Sequence, residues 1–137
     1  MAGQQRRLAE QQRQYADGRM VPWLLERDGR IVGAITLTGI ALGVFCSSYL
    51  GYWVAADQQG RGLATGAVQR VCRIARDTIG LHRIEATILP ENTGSARVLG
   101  KCGFEAIGLA PRYLHINGRW RDHRIFQRVL HDEPPVV

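Results

Sequence analysis

A mixed α+β fold, with helices packed on a largely antiparallel sheet, is what this sequence predicts. Two-residue hairpin signals, Asp28-Gly29 and Asn117-Gly118, each join a pair of short alternating apolar runs. A single long 3.6-residue pattern occupies residues 62–79. The resulting order, β-β-β-α-β-α-β-β, fits an antiparallel-rich mixed sheet covered by helices.

Taken in order, residues 4–16 are polar apart from Leu8, Ala9 and Tyr15, and predict a weak surface helix ending near Gly18. Val21 to Arg27 reads as a strand, which Pro22 confines to a strand start or an edge position. Ile31 to Leu37 is its antiparallel partner, and residues 38–47 read as a loop with Gly39 and Gly43. Tyr49 to Val54 forms a third strand. The helix that follows carries Ala64, Ala67, Val68, Val71, Ala75 and Ile79 on its buried stripe, with Gln69, Arg70, Arg73 and Arg76 opposite. Gly80 ends it. Arg83 to Leu89 is a strand closed by Pro90. Asn92 then caps a short helix to Cys102, and Gly103 is its left-handed stop. Phe104 to Leu109, Tyr113 to Ile116 and Trp120 to Val129 complete the strands.

With 137 residues, 45% of them hydrophobic, the chain fits one domain over residues 1–130, followed by a loose tail over 131–137. The net charge of +6 comes from arginine, Lys101 excepted, and favours an anionic partner such as a phosphate-bearing cosubstrate, a ribosomal surface or nucleic acid. Cys46, Cys72 and Cys102 form no CxxC pair and no metal-ligand spacing, so they read as reduced thiols of a cytoplasmic protein, with no metal implied. The first residues lack the apolar core of a secretory signal, and no apolar run is long enough to span a bilayer.

Chemistry concentrates in GYWVAADQQGRGLATGAVQRV, residues 51–71. A strand runs into Gly60-Arg61-Gly62 and then into a helix N-terminus, whose first N–H groups have no partner and carry partial positive charge. Glycines there let backbone approach an anion closely, and Arg61 adds a full charge. An ordinary glycine turn has the same composition. The stretch is neither a P-loop nor a dinucleotide fingerprint, since GxxxxGK[ST] is absent and Thr65 stands where the third glycine would be.

Gln59-x-x-Gly62-x-Ala64 resembles the acetyl-CoA pyrophosphate signature of the GNAT N-acetyltransferases. Arg83-Ile84-Glu85-Ala86, Asn92-x-x-Ser95, Lys101-Cys102-Gly103-Phe104 and Gly118-x-Trp120-x-Asp122 are similar to its RimJ/RimL branch, which acetylates the N-termini of ribosomal proteins. The resemblance covers roughly residues 20–130. It implies a GNAT fold, a mostly antiparallel mixed sheet with a splayed central strand pair and helices on the sheet. Pantetheine would lie in the splay beside Trp53, Val54 and Ala55. The pyrophosphate would rest on Gln59, Gly60, Arg61, Gly62, Leu63, Ala64 and Thr65, with Asn92 contacting the pantetheine arm.

For chemistry, the resemblance implies a backbone N–H near Val54 for the oxyanion. The tyrosine that many relatives place seven residues after the asparagine is Leu99 here. Ser95 is the replacement candidate for protonating the thiolate, with bonding back to the Asn92 cap as its other reading. Glu85 is the candidate base through a water, and equally a surface residue paired with Arg83 or Arg97. Asp122 is expected in hairpin hydrogen bonding, His123 in solvent, and His82 and His115 in structural roles. Tyr49, Tyr52, Trp53, Tyr113 and Trp120 are expected in core or hairpin packing, an acceptor groove being their alternative. The arginine face of the long helix lacks the aromatic interleaving of a nucleic-acid reader.

Family members carry a strand and a helix ahead of the element placed at residues 4–16, so the acceptor half reads as shortened. That also leaves the Val21–Arg27 strand as an edge open to homodimer pairing. The expected activity is acetyl transfer from acetyl-CoA to a protein N-terminal α-amine of ribosomal-protein type. The alternatives are a small-molecule amine acceptor or a coenzyme A-binding module with impaired catalysis. Membrane association and direct nucleic-acid reading are not expected.

Overall fold

The computed structural model describes residues 18–60 and 62–135. The helix expected at residues 4–16 lies outside them. Strand β1 (Val21–Arg27) turns into β2 (Arg30–Ala41) through Asp28 and Gly29, whose φ values of 52° and 76° are those of a type I′ hairpin turn. The Asn117-Gly118 turn has the same form, with φ 51° and 85°, and joins β5 (Glu105–Ile116) to β6 (Arg119–Val129). Between these hairpins run β3 (Ser47–Val54), helix α1 (Leu63–Ile74), β4 (Arg83–Ile88) and helix α2 (Thr93–Lys101).

The six strands form one sheet in the order β1-β2-β3-β4-β6-β5. Every neighbouring pair is antiparallel except β3 and β4, which the α1 crossover makes parallel. That central pair is splayed. It holds for three rungs, Ser47 with Arg83, Ser48 with Ile84 and Tyr49 with Glu85, and then parts. β3 stays on β2 as far as Val54 opposite Gly33, while β4 stays on β6 over its whole length. Each central strand therefore follows the twist of its own outer partner, and the seam between them opens.

Both helices pack on one face. Ile84, Ala86 and Ile88 of β4 meet Val68, Val71, Cys72 and Ala75 of the first helical stretch and Leu99 and Cys102 at the second. The Cys102 thiol contacts the Thr65 carbonyl at 3.4 Å and so fastens the two helices together. Cys46, Cys72 and Cys102 are all free and buried, and burial pushes the Cys72 and Cys102 thiols up from their ordinary range. The Arg70 and Arg73 side of α1 faces solvent, as its periodicity requires.

Several boundaries differ from the sequence reading. The loop expected at 38–47 shrinks because β2 reaches Ala41 and β3 begins at Ser47. The irregularity between Thr38 and Ala41 absorbs Gly39, at φ 59°, where an added Cβ would stand 2.9 Å from the Tyr49 ring. The two strands expected at 104–116 are one, bent where Arg112 adopts φ 48°. The long helix widens at its end into a π turn, Ala75–Ile79, before Gly80. At the end of β6 the His82 ring Nδ1 donates to the His131 carbonyl, and His131 Nε2 lies 3.3 Å from the Gly80 carbonyl.

Candidate active site

The seam between β3 and β4 ends where the glycine turn begins. Ala55 N–H donates to the Val32 carbonyl at 2.7 Å, and the Ala55 carbonyl accepts from Gln58 N–H at 2.9 Å. Antiparallel ladders alternate, so Trp53 also turns its amide groups toward β2, and Tyr52 and Val54 turn theirs toward the seam. Of the three residues expected to pair with a strand-like ligand, Val54 alone presents an open backbone edge there. Its carbonyl already accepts from the Gln59 side-chain amide at 3.1 Å, which leaves its N–H facing the gap.

A 3₁₀ turn at 56–58 leads to Gly60 and Gly62, at φ 78° and 74°. Nothing lies within 4 Å of a Cβ added at either, so the left-handed backbone, rather than crowding, requires glycine. Arg61 lies outside the described residues. Gly62 is the N-cap of α1 and offers no side chain to the helix, and the first return bond runs from Gly66 N–H to the Gly62 carbonyl at 3.0 Å. The N–H groups of Leu63, Ala64 and Thr65 are thus left for an external acceptor.

These groups border one cleft of about 520 Å³ between the end of β3, the glycine turn and the start of α2. Trp53, Val54, Gln59, Gly60, Gly62, Leu63, Ala64, Thr65, Asn92 and Ser95 all line it, as the sequence placed them together; Ala55 and Glu85 do not. Arg97 and Lys101, one helical turn apart on α2, form a cationic wall that the sequence reading passed over. Positions three and seven beyond Gly94 share one helix face with it, and that spacing was the available sign of both. Among the described residues, no carboxylate lines the cleft.

At the cleft floor the Asn92 side chain accepts the Ser95 N–H at 3.1 Å, so Asn92 is a helix cap and Ser95 an N3 residue through its backbone. The Ser95 side chain does not bond back to the cap. Instead its Oγ accepts from the Tyr52 hydroxyl at 3.2 Å. Burial raises the Tyr52 pKa, opposed in part by the bond to Ser95, so the phenol is protonated at neutral pH. Tyr52 packs against the core as expected, and the partner of its hydroxyl is what the expectation lacked. The strand alternation it shares with buried Leu50 was the available sign that it faces the helices. Leu99, in the position of the family's tyrosine, is fully buried core.

Glu85 stands elsewhere. Because Ile84 and Ala86 face the helices, Glu85 points from the opposite face of the sheet. There it pairs with Arg83 at 2.8 Å, the two side chains being 16% and 17% exposed. Arg83 Nε also donates to Gln127 Oε1 at 2.5 Å, and Gln127 Nε2 donates to Glu105 at 3.1 Å. Burial pushes the Tyr113 hydroxyl up, with Glu85 and Tyr49 adding to it, which groups those three on this second face.

Two further expectations are corrected. His123 is not solvated; it is 3% exposed, with its ring 5.9 Å from that of Tyr113. Tyr49, Trp53, Tyr113 and Trp120 are exposed rather than core, although Tyr113 packs against His123 and Trp120 edge-on against His115 within their hairpin, as expected. Asp122 bonds in the hairpin as expected, accepting Arg112 N–H at 2.9 Å.

Comparison with known proteins accords with this geometry. The profile of the acetyltransferase (GNAT) domain family matches residues 1–105. The probable N-acetyltransferase YjcK of Bacillus subtilis is 40% identical over 98 residues, 72% of this chain and 54% of that protein. The ribosomal protein uS5-alanine N-acetyltransferase of Escherichia coli is 39% identical over 93 residues, 68% of this chain and 48% of that one. The chain thus spans about half the length of these relatives. Among solved structures, Mycobacterium smegmatis RimJ in complex with CoA-disulfide superposes with TM-score 0.83 at 40% identity, covering 88% of this chain and 58% of that chain. The ribosomal-protein-S5-alanine acetyltransferase of Vibrio fischeri superposes with TM-score 0.84 at 28% identity, covering 96% and 73%.

Proposed function

The chain belongs to the GNAT acetyltransferase family, and from that premise we propose that it transfers an acetyl group from acetyl-CoA to a primary amine, foremost the N-terminal α-amine of a protein. The observation that carries the reading is the convergence of the open Val54 edge and the uncapped start of α1 on one cleft that, among the described residues, no carboxylate lines. A strand-like pantetheine would take the Val54 N–H as a further rung, while the pyrophosphate would accept from the first-turn N–H groups of α1. Arg97 and Lys101 add positive charge where a phosphate-rich cosubstrate enters.

Acetyl transfer requires a deprotonated amine, donors for the tetrahedral oxyanion, and stabilisation of the leaving thiolate. The Val54 N–H supplies a donor at the seam. Ser95 lies on the cleft floor as the hydroxyl for the thiolate. Glu85, on the opposite face and paired with Arg83, is the candidate to relay the amine proton to solvent through a water.

A protein N-terminus is favoured by the 40% identity to M. smegmatis RimJ and the 39% identity to the uS5-alanine enzyme. A small cationic amine is the second reading, prompted by a spermidine N(1)-acetyltransferase of Vibrio cholerae that is 29% identical over 69 residues. The net charge of +6 weighs against attracting a polycation. Location in the cytoplasm and modification of ribosomal proteins belong to the same proposal. So does homodimer pairing along β1, an edge strand of the sheet whose only partner among the described residues is β2.

Calorimetry with acetyl-CoA, followed by turnover on alanine- or serine-initiated peptides and on spermidine, tests this directly. Saturable binding with peptide turnover is expected. Spermidine turnover alone would select the second reading, binding without turnover would reduce the protein to a coenzyme A-binding module, and no binding would remove the function.

A further inference from the structure

Tyr52 has no part in the chemistry outlined above, yet its hydroxyl is committed to that chemistry's floor. It leaves the end of β3 on the helix face, just past the last rung of the seam, and donates to Ser95 Oγ at 3.2 Å. Both side chains line the cleft. A serine hydroxyl is one donor with two acceptor lone pairs. Because the Tyr52 proton occupies one lone pair, the Ser95 O–H is turned away from the phenol and left free to donate into the cleft. The Asn92 cap fixes the other end of this arrangement, since Asn92 Oδ1 holds the Ser95 backbone N–H.

Chained hydrogen bonds polarise one another, and a hydroxyl that accepts from a protonated phenol is a better donor than one that does not. The phenol remains protonated because burial holds its pKa above the usual tyrosine range.

We propose that Tyr52 is the positioning residue for Ser95, orienting and strengthening the Ser95 hydroxyl as the hydrogen-bond donor to the sulfur of coenzyme A. The inference rests on the acetyl-CoA reading given above. When the tetrahedral intermediate collapses, the carbon–sulfur bond breaks and its electron pair passes to sulfur. The Ser95 O–H donates to that thiolate while Tyr52 donates to Ser95, and no proton need leave either hydroxyl. The thiolate later takes the proton that the acceptor amine released to water.

The test needs no acceptor. Coenzyme A is bound to the wild-type protein, Y52F, S95A, S95T and the Y52F/S95A double variant, with affinity read by calorimetry and folding by thermal denaturation. The pKa of the bound thiol is then titrated by thiolate absorbance against protein without ligand. Donation to the thiolate lowers that pKa. The wild-type complex is expected to hold the thiol about one unit below free coenzyme A, roughly a tenfold gain in thiolate fraction at a pH below both values. Y52F and S95A should each remove most of this shift, the double variant should remove no more than either, and S95T should retain it. All five proteins should bind coenzyme A within a few-fold. Additive losses from Y52F and S95A, or no change in either, would overturn the pairing while leaving the acetyl-CoA reading intact. Failure of the wild-type protein to bind coenzyme A would overturn both together.

Discussion

The Gln59 side-chain amide donates to the Val54 carbonyl at 3.1 Å, tying the start of the glycine turn to the last residue of β3. The bond fixes the distance between the strand edge and the first turn of α1, the two features that the proposed ligand must reach at once. Gln59→Ala removes it at an exposed site, where a hydrogen bond contributes about 0.5–1.5 kcal/mol. Coenzyme A affinity is expected to fall roughly threefold to tenfold, with the melting temperature lowered by only a few degrees. Calorimetry and denaturation of the same variant check both halves.

Gly62 separates stability from binding in a different way. At φ 74° any L-residue is strained, and Gly62→Ala is expected to cost about 1–2 kcal/mol in urea unfolding despite the open space around it. Gly62→Asp is better tolerated in the left-handed region, yet it sets a carboxylate against the proposed pyrophosphate. Its expected signature is loss of coenzyme A binding in a protein that still melts cooperatively. Undiminished affinity would move the anion site away from this turn.

Asn92 makes a parallel case at the second helix. Asn92→Ala leaves Ser95 N–H without its acceptor and should destabilise by about 1 kcal/mol. Asn92→Asp keeps the acceptor but brings a negative charge into a cleft that has none among its described lining residues, so stability should survive while coenzyme A binding weakens by at least about tenfold. Equal affinity of Asn92→Asp and wild type would exclude Asn92 from the phosphate-bearing ligand's path.

Across the sheet, the Arg83–Glu85 pair is shielded enough to be measured. Removing Arg83 alone strands a largely buried carboxylate, whereas replacing both partners by methionine removes the charges together. A double-mutant cycle is expected to return about 1–2 kcal/mol of coupling. If Glu85 also relays the amine proton, Glu85→Gln should lower turnover at saturating acetyl-CoA without changing its affinity. A change in affinity with unaltered turnover would assign Glu85 to structure.

Acid should weaken the fold through surface carboxylates. The Arg30 guanidinium holds Asp57 below its ordinary range, Arg76 does the same for Asp77, and a backbone hydrogen bond followed by Arg121 does so for Glu91. In each case the folded state binds its proton later than the unfolded chain, so the stabilisation is complete above the unfolded carboxylate pKa, about 4. It is lost as pH falls through the depressed folded values. Urea midpoints should be flat above about pH 5 and decline below pH 4, with Asp57→Asn blunting the decline. Added salt should shrink the effect, since these groups are exposed.

Local chemistry explains why so much of this was legible in one sequence. Asp28-Gly29 and Asn117-Gly118 demand type I′ turns, and Asn92 with Ser95 three residues on is a cap whatever surrounds it. Glycine placement announced the turn before α1 for the same reason. Strand ends were less legible, because the bulge at Gly39 depends on the Tyr49 ring of a neighbouring strand. The Tyr52–Ser95 bond spans 43 residues. No local pattern announces such a bond, since it exists only once β3 and α2 are set on one face. For Glu85 the pairing with Arg83 was legible from their spacing of two along the strand, but its absence from the cleft was not, since nearness in the chain says nothing about which side of a sheet a residue occupies.

The three-rung seam between β3 and β4 leaves the sheet as two plates, β1-β2-β3 and β4-β6-β5, stitched at one corner by Ser47, Ser48 and Tyr49. Plates so joined can breathe against each other without disturbing their own ladders, and amide exchange should resolve them as two cooperative units. A ligand lying along the Val54 edge would act as a removable stitch. Its arrival should slow exchange on both sides of the seam at once, far from any atom it touches.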